Sequence, residues 1–277
     1  MKVDLHMHSH CSDGVLSPTE LMERAFAQGV QLLALTDHDT LAGVEEARER
    51  AQSLGMQLVS GIEFSTRWGS MGIHIVGLGL ALERPALHAT VAAQRRARAE
   101  RNEEIGRRLE KIGVVDAYER ARELAGEVEP GRPHFAELLV RDGKVVDSAR
   151  AFKKYLGSGK LGDVRQQWPP MADIVAAIRA ADGVAVLAHP AKYALTRTKL
   201  RALMSDFAAA GGQAVEIISG QQASGIAENL ASLAREFELE ASVGSDFHRP
   251  GHPWQELGCP GALPASVTPV WHRWAPG

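Results

Sequence analysis

Cysteine is almost missing from this chain: Cys11 and Cys259 are the only two among 277 residues. They stand far apart, so no disulfide framework organises the fold, and a reducing compartment is the simpler expectation. No apolar run approaches the roughly 20 residues needed to cross a bilayer. The opening stretch, MKVDLHMHSH, alternates polar and apolar residues and has no signal-like apolar core. We expect a cytoplasmic protein with no membrane partner. Charge of one sign is scarce as well, since 31 Lys and Arg against 34 Asp and Glu leave a net charge of −3. That excludes a general nucleic-acid coat but leaves room for a local basic groove. Internal repeats and low-complexity segments are also missing.

What is present is an apolar content of 45%, enough for a sizeable core. Short runs rich in Val, Ile and Leu predict strands over 3–9, 32–37, 58–64, 73–80, 184–189, 214–219 and 241–246. Helical patterns fit between most of them. Ser17-Pro18-Thr19-Glu20 offers a cap, a first-turn proline and an acidic residue, and Gly29 ends that helix. A second helix fits 41–54 and stops at Gly55. Alternating strands and helices predict an α/β protein with a parallel sheet, and this many units favour a barrel related to the (β/α)8 type. One region breaks the rhythm. Residues 95–168 are highly charged, helical in pattern and without a convincing strand. They are expected to form a helical insertion between strands 4 and 5 of a barrel made from 1–94 and 169–277.

Most of the unusual polar residues fall at predicted strand ends. His6 and His8 stand at i and i+2 on the first strand, so they face the same way. Asp13 follows in the next loop, His38 closes the second strand, Glu63 lies late in the third, and His74 is on the fourth. His189 ends the fifth, and Asp246 and His248 end the seventh. Barrel enzymes assemble their sites from several strands at that rim. A single histidine at a strand end is more often structural than functional. Nine such groups converging on one rim are different, because burying them together is costly unless a cation compensates. Six imidazoles and three carboxylates suit Mn, Zn or Fe better than Mg or Ca. They exceed the needs of one ion, and Glu63 could bridge two. Two or more such ions activate water and clamp phosphoryl oxygens, which favours phosphate esters over amides.

A second set lies in the insertion. Gly131-Arg132-Pro133-His134 precedes a short predicted helix, and Gly157-Ser158-Gly159-Lys160-Leu161-Gly162 is a glycine-rich loop with one cation. Arg132 and Lys160 suit phosphate oxygens, and His134 can donate a hydrogen bond or a proton. The loop is not a P-loop, since its spacing differs and no strand precedes it. The basic run Arg95-Arg96-Ala97-Arg98 continues to Arg101 and Asn102, which are candidates to grip an anionic substrate, although a solvated helix face is the commoner use of such a run. Cys11 reads as core filler, and His10, His88, His252 and His272 carry no assigned role.

His6-x-His8, Asp13, Thr36-Asp37-His38, Glu63, His74, His189-Pro190 and Asp246-x-His248 together resemble the polymerase and histidinol phosphatase (PHP) family. The resemblance runs from the first strand to the last with every ligand position filled. It implies a distorted (β/α)7 TIM-like barrel holding two or three divalent ions, Mn2+ first, with Zn2+ or Fe2+ as alternatives. By that resemblance His6, His8, Glu63 and Asp246 hold one ion, Glu63, His74 and His189 a second, and Asp13, His38 and His248 a third. Asp37 would orient a ligand, and His134 or His189 would protonate the leaving oxygen. The insertion is similar to that of the stand-alone branch acting on nucleotides. This implies removal of the 3′-phosphate from nucleoside 3′,5′-bisphosphates, with 5′-end trimming of short RNA in some members. The expected partner is thus a small nucleotide or short oligonucleotide, with no stable nucleic-acid complex and no obligate protein partner. Histidinol phosphatase, metal-dependent amidohydrolase and a vestigial regulatory module are the rival readings.

Overall fold

The computed structural model describes residues 1–126, 128–164, 168–259 and 261–275. Its seven strands form one sheet in chain order: β1 (Val3–Asp4), β2 (Leu32–Leu35), β3 (Gln57–Trp68), β4 (Met71–Leu78), β5 (Val184–Leu187), β6 (Ala214–Ser219) and β7 (Glu240–Gly244). The sheet curls until its edges meet. Beyond β1 the chain leaves the regular ladder and bonds β7 directly: Leu5 N donates to Val243 O at 3.0 Å, and Asp246 N to His6 O at 2.8 Å. The chain thus forms a nearly closed, seven-stranded, TIM-like barrel of the α/β class.

One strand departs from the parallel sheet expected from the sequence. β4 is antiparallel to both β3 and β5. Gly69, in the left-handed region at φ +57°, turns the chain straight from β3 into β4 and leaves no helix between them. A parallel crossover needs about a dozen residues or more, and this connection has nowhere near that many.

The helices around this sheet form where the sequence supplies their ends. In α1 (Pro18–Ala27) the Ser17 side chain accepts from Glu20 N, and the Glu20 side chain answers the Ser17 backbone. α2 (Val44–Ser53) starts later than the pattern suggested, with Gly43 at its N-cap. α7 (Met171–Ala180) packs across β3, β4 and β5, burying Ile174, Val175 and Ile178 in the main core. α8 (Arg197–Ala209) and α9 (Ile226–Glu236) complete the layer.

By its contacts the chain divides into two compact units: Met1–Val91 with Pro169–Gly277, and Ala92–Trp168. Within the second lie the continuation of α3 (Pro85–Glu110), α4 (Ala117–Ala125), α5 (Arg132–Arg141), α6 (Ser148–Ala151) and a π-helical turn at Phe152–Leu156. Among the described residues this unit contains no strand. It has its own apolar core, including Ile105, Leu109, Phe135, Leu139 and Leu156.

Candidate metal centre

Each candidate ligand reaches the rim by a local device. His6 and His8 follow β1 on the segment that bonds β7, and their Nε2 atoms lie 3.1 Å apart. Asp13 sits in the turn 9–14, closed by Ser12 N and Gly14 N on Ser9 O. Gly14 is required there, because a Cβ would lie 2.2 Å from His8 O. His38 follows β2 and bridges to Glu63 on β3, with Asp39 N donating to Glu63 O at 3.0 Å. His74 stands near the start of β4, opposite Ser65. On an antiparallel strand the start lies at the same rim as the ends of its parallel neighbours, which is how an early residue of β4 joins late residues of the others. His189, at φ +29°, and Asp246, at φ +54°, hold strained turns immediately after β5 and β7.

The structure brings the nine groups together, with five of the imidazoles against Glu63. Its Oε1 lies 2.9 Å from His74 Nδ1, 2.9 Å from His189 Nε2 and 3.3 Å from His6 Nε2. Its Oε2 lies 2.9 Å from His38 Nδ1 and 3.5 Å from His8 Nε2. Asp246 Oδ1 is 3.3 Å from His8 Nε2 and 3.6 Å from His6 Nε2. Asp13 is 3.2 Å from His248 Nε2 and 3.7 Å from His38 Nε2. Two atoms bound at about 2.1 Å to one ion, roughly 90–110° apart, would be separated by about 3.0–3.4 Å. The observed spacings match those of ligands to shared ions. Among the described residues four groupings bring one ligand atom from each member within 4.8 Å of the others: His6, His8 and Asp246; His6, Glu63 and His189; His38, Glu63 and His74; and His8, Asp13, His38 and His248. His38 faces Glu63 with one ring nitrogen and Asp13 with the other, so it can serve either neighbouring ion.

Polar bookkeeping favours the same reading. His8 Nδ1, Asp13 Oδ1 and Glu63 Oε2 are buried without a hydrogen bond, a costly state that cations would relieve. Charge follows suit. Burial opposes ionisation of Glu63, but His74, His38 and His6 outweigh it and hold the carboxyl well below the usual range. Burial also opposes ionisation of Asp246, and His6 and His8 again prevail. Burial, with His248 beside it, lowers His8 to about 3, and burial lowers His74 to about 4. Neutral imidazoles and ionised carboxylates are the forms a metal needs. His6 and His248 differ: burial would lower both, yet Glu63, Glu216 and Asp246 hold His6 well above the usual range, and Asp13 and Asp246 lift His248 to about 9.

Asp37 lies behind the turn that carries Asp13. Its Oδ1 accepts from Ser9 N at 2.8 Å and Ser12 Oγ at 2.6 Å, and its Oδ2 from Ser9 Oγ at 2.6 Å. It therefore fastens the turn that presents Asp13 and holds no imidazole directly. The imidazole-orienting carboxylate is Glu216, which the sequence reading missed. Buried on β6, Glu216 contacts His6 Nδ1 at 3.2 Å and accepts from His189 N at 2.6 Å. A carboxylate behind a ligating histidine fixes its tautomer and aim. A lone acid inside Ala214-Val215-Glu216-Ile217-Ile218 was the available signal. Lys192, paired with Asp246, and Tyr193, whose hydroxyl accepts from His74 N at 2.8 Å, were also missed.

The insertion residues are described within their own unit. His134 Nδ1 accepts from Gly131 N at 2.9 Å at the start of α5, which puts the ring proton of the neutral form on Nε2. Arg132 lies 5.9 Å over the Phe152 ring and donates to Leu156 O. Lys160 is exposed. Arg101 and Asn102 are interior ties, not surface grips. Arg101 donates to Val164 O and lies 5.4 Å over Trp168, while the Asn102 amide donates to Glu129 and to Pro130 O. Arg95 and Arg96, with Arg122, line a cavity of about 440 Å³. Cys11 is half-buried, and both cysteines are free.

A barrel rim that gathers these imidazoles around one carboxylate defines a metal-dependent hydrolase, and the chain belongs to the PHP family. The PHP domain model matches residues 4–128. A 5′-3′ exoribonuclease of Haemophilus influenzae is 47% identical over 273 residues, covering 98% of each chain. A 3′,5′-nucleoside bisphosphate phosphatase of Chromobacterium violaceum is 42% identical, covering 98% of this chain and 95% of its own. A structure described as an amidohydrolase from Chromobacterium violaceum, with bound sulfate and no metal, superposes with a TM-score of 0.91 at 41% identity, covering 99% of this chain and 95% of that one. The protein is a hydrolase acting on phosphate esters. Among the described residues no helix is long and apolar enough to cross a membrane.

Proposed function

We propose that the protein hydrolyses the 3′-phosphate of nucleoside 3′,5′-bisphosphates, giving a nucleoside 5′-phosphate and phosphate, and that it trims short RNA from the 5′ end. The observation that carries this is the likeness to the phosphatase and the exoribonuclease over nearly the whole chain, insertion included. The sulfate in the Chromobacterium structure adds a tetrahedral anion resembling phosphate. Two or three bound divalent ions, Mn2+ before Zn2+ or Fe2+, would activate water and neutralise charge on the phosphoryl oxygens. His6, His8, Asp13, His38, Glu63, His74, His189, Asp246 and His248 are assigned as their ligands.

The remaining roles fall to other side chains of this protein. Arg132 and Lys160 bind phosphate oxygens through charge-assisted hydrogen bonds. His134, protonated on Nε2, donates toward the leaving 3′-oxygen. His189 does not share that duty, because the nitrogen it turns toward Glu63 is assigned to a metal. Glu216 aims His6, and Asp37 secures the Asp13 turn. The 95–168 insertion is read as the substrate-recognising part, and a cytoplasmic location belongs to the same reading.

The test is phosphate release by the Mn2+-loaded protein from adenosine 3′,5′-bisphosphate, histidinol phosphate and a panel of amides. Turnover of the bisphosphate well above the others is expected. Preference for histidinol phosphate, or activity toward amides alone, would overturn the assignment in favour of that rival.

A further inference from the structure

The insertion differs in charge from the rest of the molecule. Residues 92–168 hold 17 Lys and Arg against 13 Asp and Glu, a net +4, while the remaining sequence holds 14 against 21, a net −7. Within this unit Arg150, Lys153, Lys154 and Lys160 line a cavity of about 620 Å³ together with Val145 and Val146. No acid lines it. The acids nearest in sequence serve the backbone: Asp147 accepts from Arg150 N at 2.7 Å, and Asp163 from Gly159 N at 2.6 Å. Among the described residues none of the four cations forms an ion pair, and Lys154 instead lies 4.7 Å over the Tyr155 ring. The apolar part of the lining is Val145 and Val146, the latter 82% exposed.

We propose that this cavity is a binding track for the phosphodiester chain of a single-stranded RNA, distinct from the nucleotide being hydrolysed. Several unpaired cations around an open concavity hold a run of phosphates irrespective of sequence, and apolar surface between them covers sugars and base edges. An isolated phosphate would need fewer cations, and a base-specific site would need directed polar groups that this cavity lacks. The proposal rests on the function proposed above in one respect. Lys160 belongs both to this cavity and to the assigned phosphate binders.

The experiment compares the wild-type protein with an R150Q/K153Q/K154Q variant, leaving Lys160 in place. Binding of a fluorescein-labelled, 5′-phosphorylated ten-nucleotide RNA is followed by anisotropy across a salt series. Turnover of adenosine 3′,5′-bisphosphate is measured in parallel. The variant should bind the RNA about tenfold more weakly or worse, and its log–log salt slope should flatten by about 0.7 for each phosphate no longer neutralised. Its kcat/KM on the bisphosphate should stay within about twofold. Restoring charge with R150K/K153R/K154R should recover RNA binding, which a folding defect would not allow. Unchanged RNA affinity, an equal loss on both substrates, or equal wild-type affinity for a polyglutamate peptide of matching charge would each overturn the track. RNA binding with the expected salt response but no hydrolysis of any nucleotide would uphold the track and sink the proposed function.

Discussion

At the scale of single residues, the centre separates side chains that would hold ions from those that aim the holders. Glu63 touches four of the imidazoles closely, whereas Glu216 touches His6 from behind. Two substitutions should therefore fail differently. Glu63→Ala should lower kcat by about three orders of magnitude, equivalent to roughly 4 kcal/mol of barrier, and excess Mn2+ should not rescue it. Glu216→Gln should weaken metal affinity by about 10–100-fold and recover most of its kcat at high Mn2+. Equal behaviour of the two in a metal titration would contradict the division. His248 gives a pH test on metal-free protein. Its imidazole is raised from 6.5 to about 9, so the stability it lends is complete below about 6.5 and is lost as pH rises through 9. An ion must displace that proton. Metal titrations in weak buffer should release an extra proton at about pH 7.5 and none at about pH 9.5; identical release at both would remove His248 from the ligand set.

At the scale of elements, the interior of the barrel is narrow where β6 and β7 back the first two histidines. A Cβ on Gly244 would lie 2.2 Å from His6 Cβ and 2.6 Å from Glu216 Oε1. Gly244→Ala should cost about 1–3 kcal/mol through overpacking and weaken metal binding as well, read as a lower melting temperature and a right-shifted Mn2+ titration. A wild-type metal titration in that variant would show that His6 tolerates displacement. Much of this level was legible in the sequence. Runs of Val, Ile and Leu marked all seven strands, and Ser17 with Glu20 marked the first helix end. The orientation of β4 was not, since periodicity reports burial and says nothing of direction. The available clue was the short interval between the third and fourth runs, with Gly69-Ser70 inside it, which suits a hairpin and cannot hold a crossover. The proposed ligands stood out because most of them lie at or just beyond the ends of apolar runs. Glu216 escaped because it sits mid-strand, and the burial of Arg101 and Asn102 was not legible because polarity in a sequence does not reveal which helix face turns inward.

At the scale of the molecule, the two units should respond separately to metal. Chelation should abolish activity and lower the melting temperature, since ligands that bind only the folded state stabilise it by mass action, by about 2.7 kcal/mol at a hundredfold excess over Kd. Hydrogen exchange should quicken in the strands that bear the ligands and stay unchanged around Phe135 and Leu139, which belong to the insertion's own core. Uniform quickening would show that the insertion depends on the ions too. The meeting of the first and last strands has one more consequence. Six of the nine groups emerge from the ribosome by residue 74, but Asp246 and His248 arrive only after β7. Their partners His6 and His8 wait just beyond β1, so cation capture cannot be completed until the two edges of the sheet join. Ion uptake should thus keep time for the final act of folding, and a metal-sensitive dye in a refolding experiment would serve as its clock.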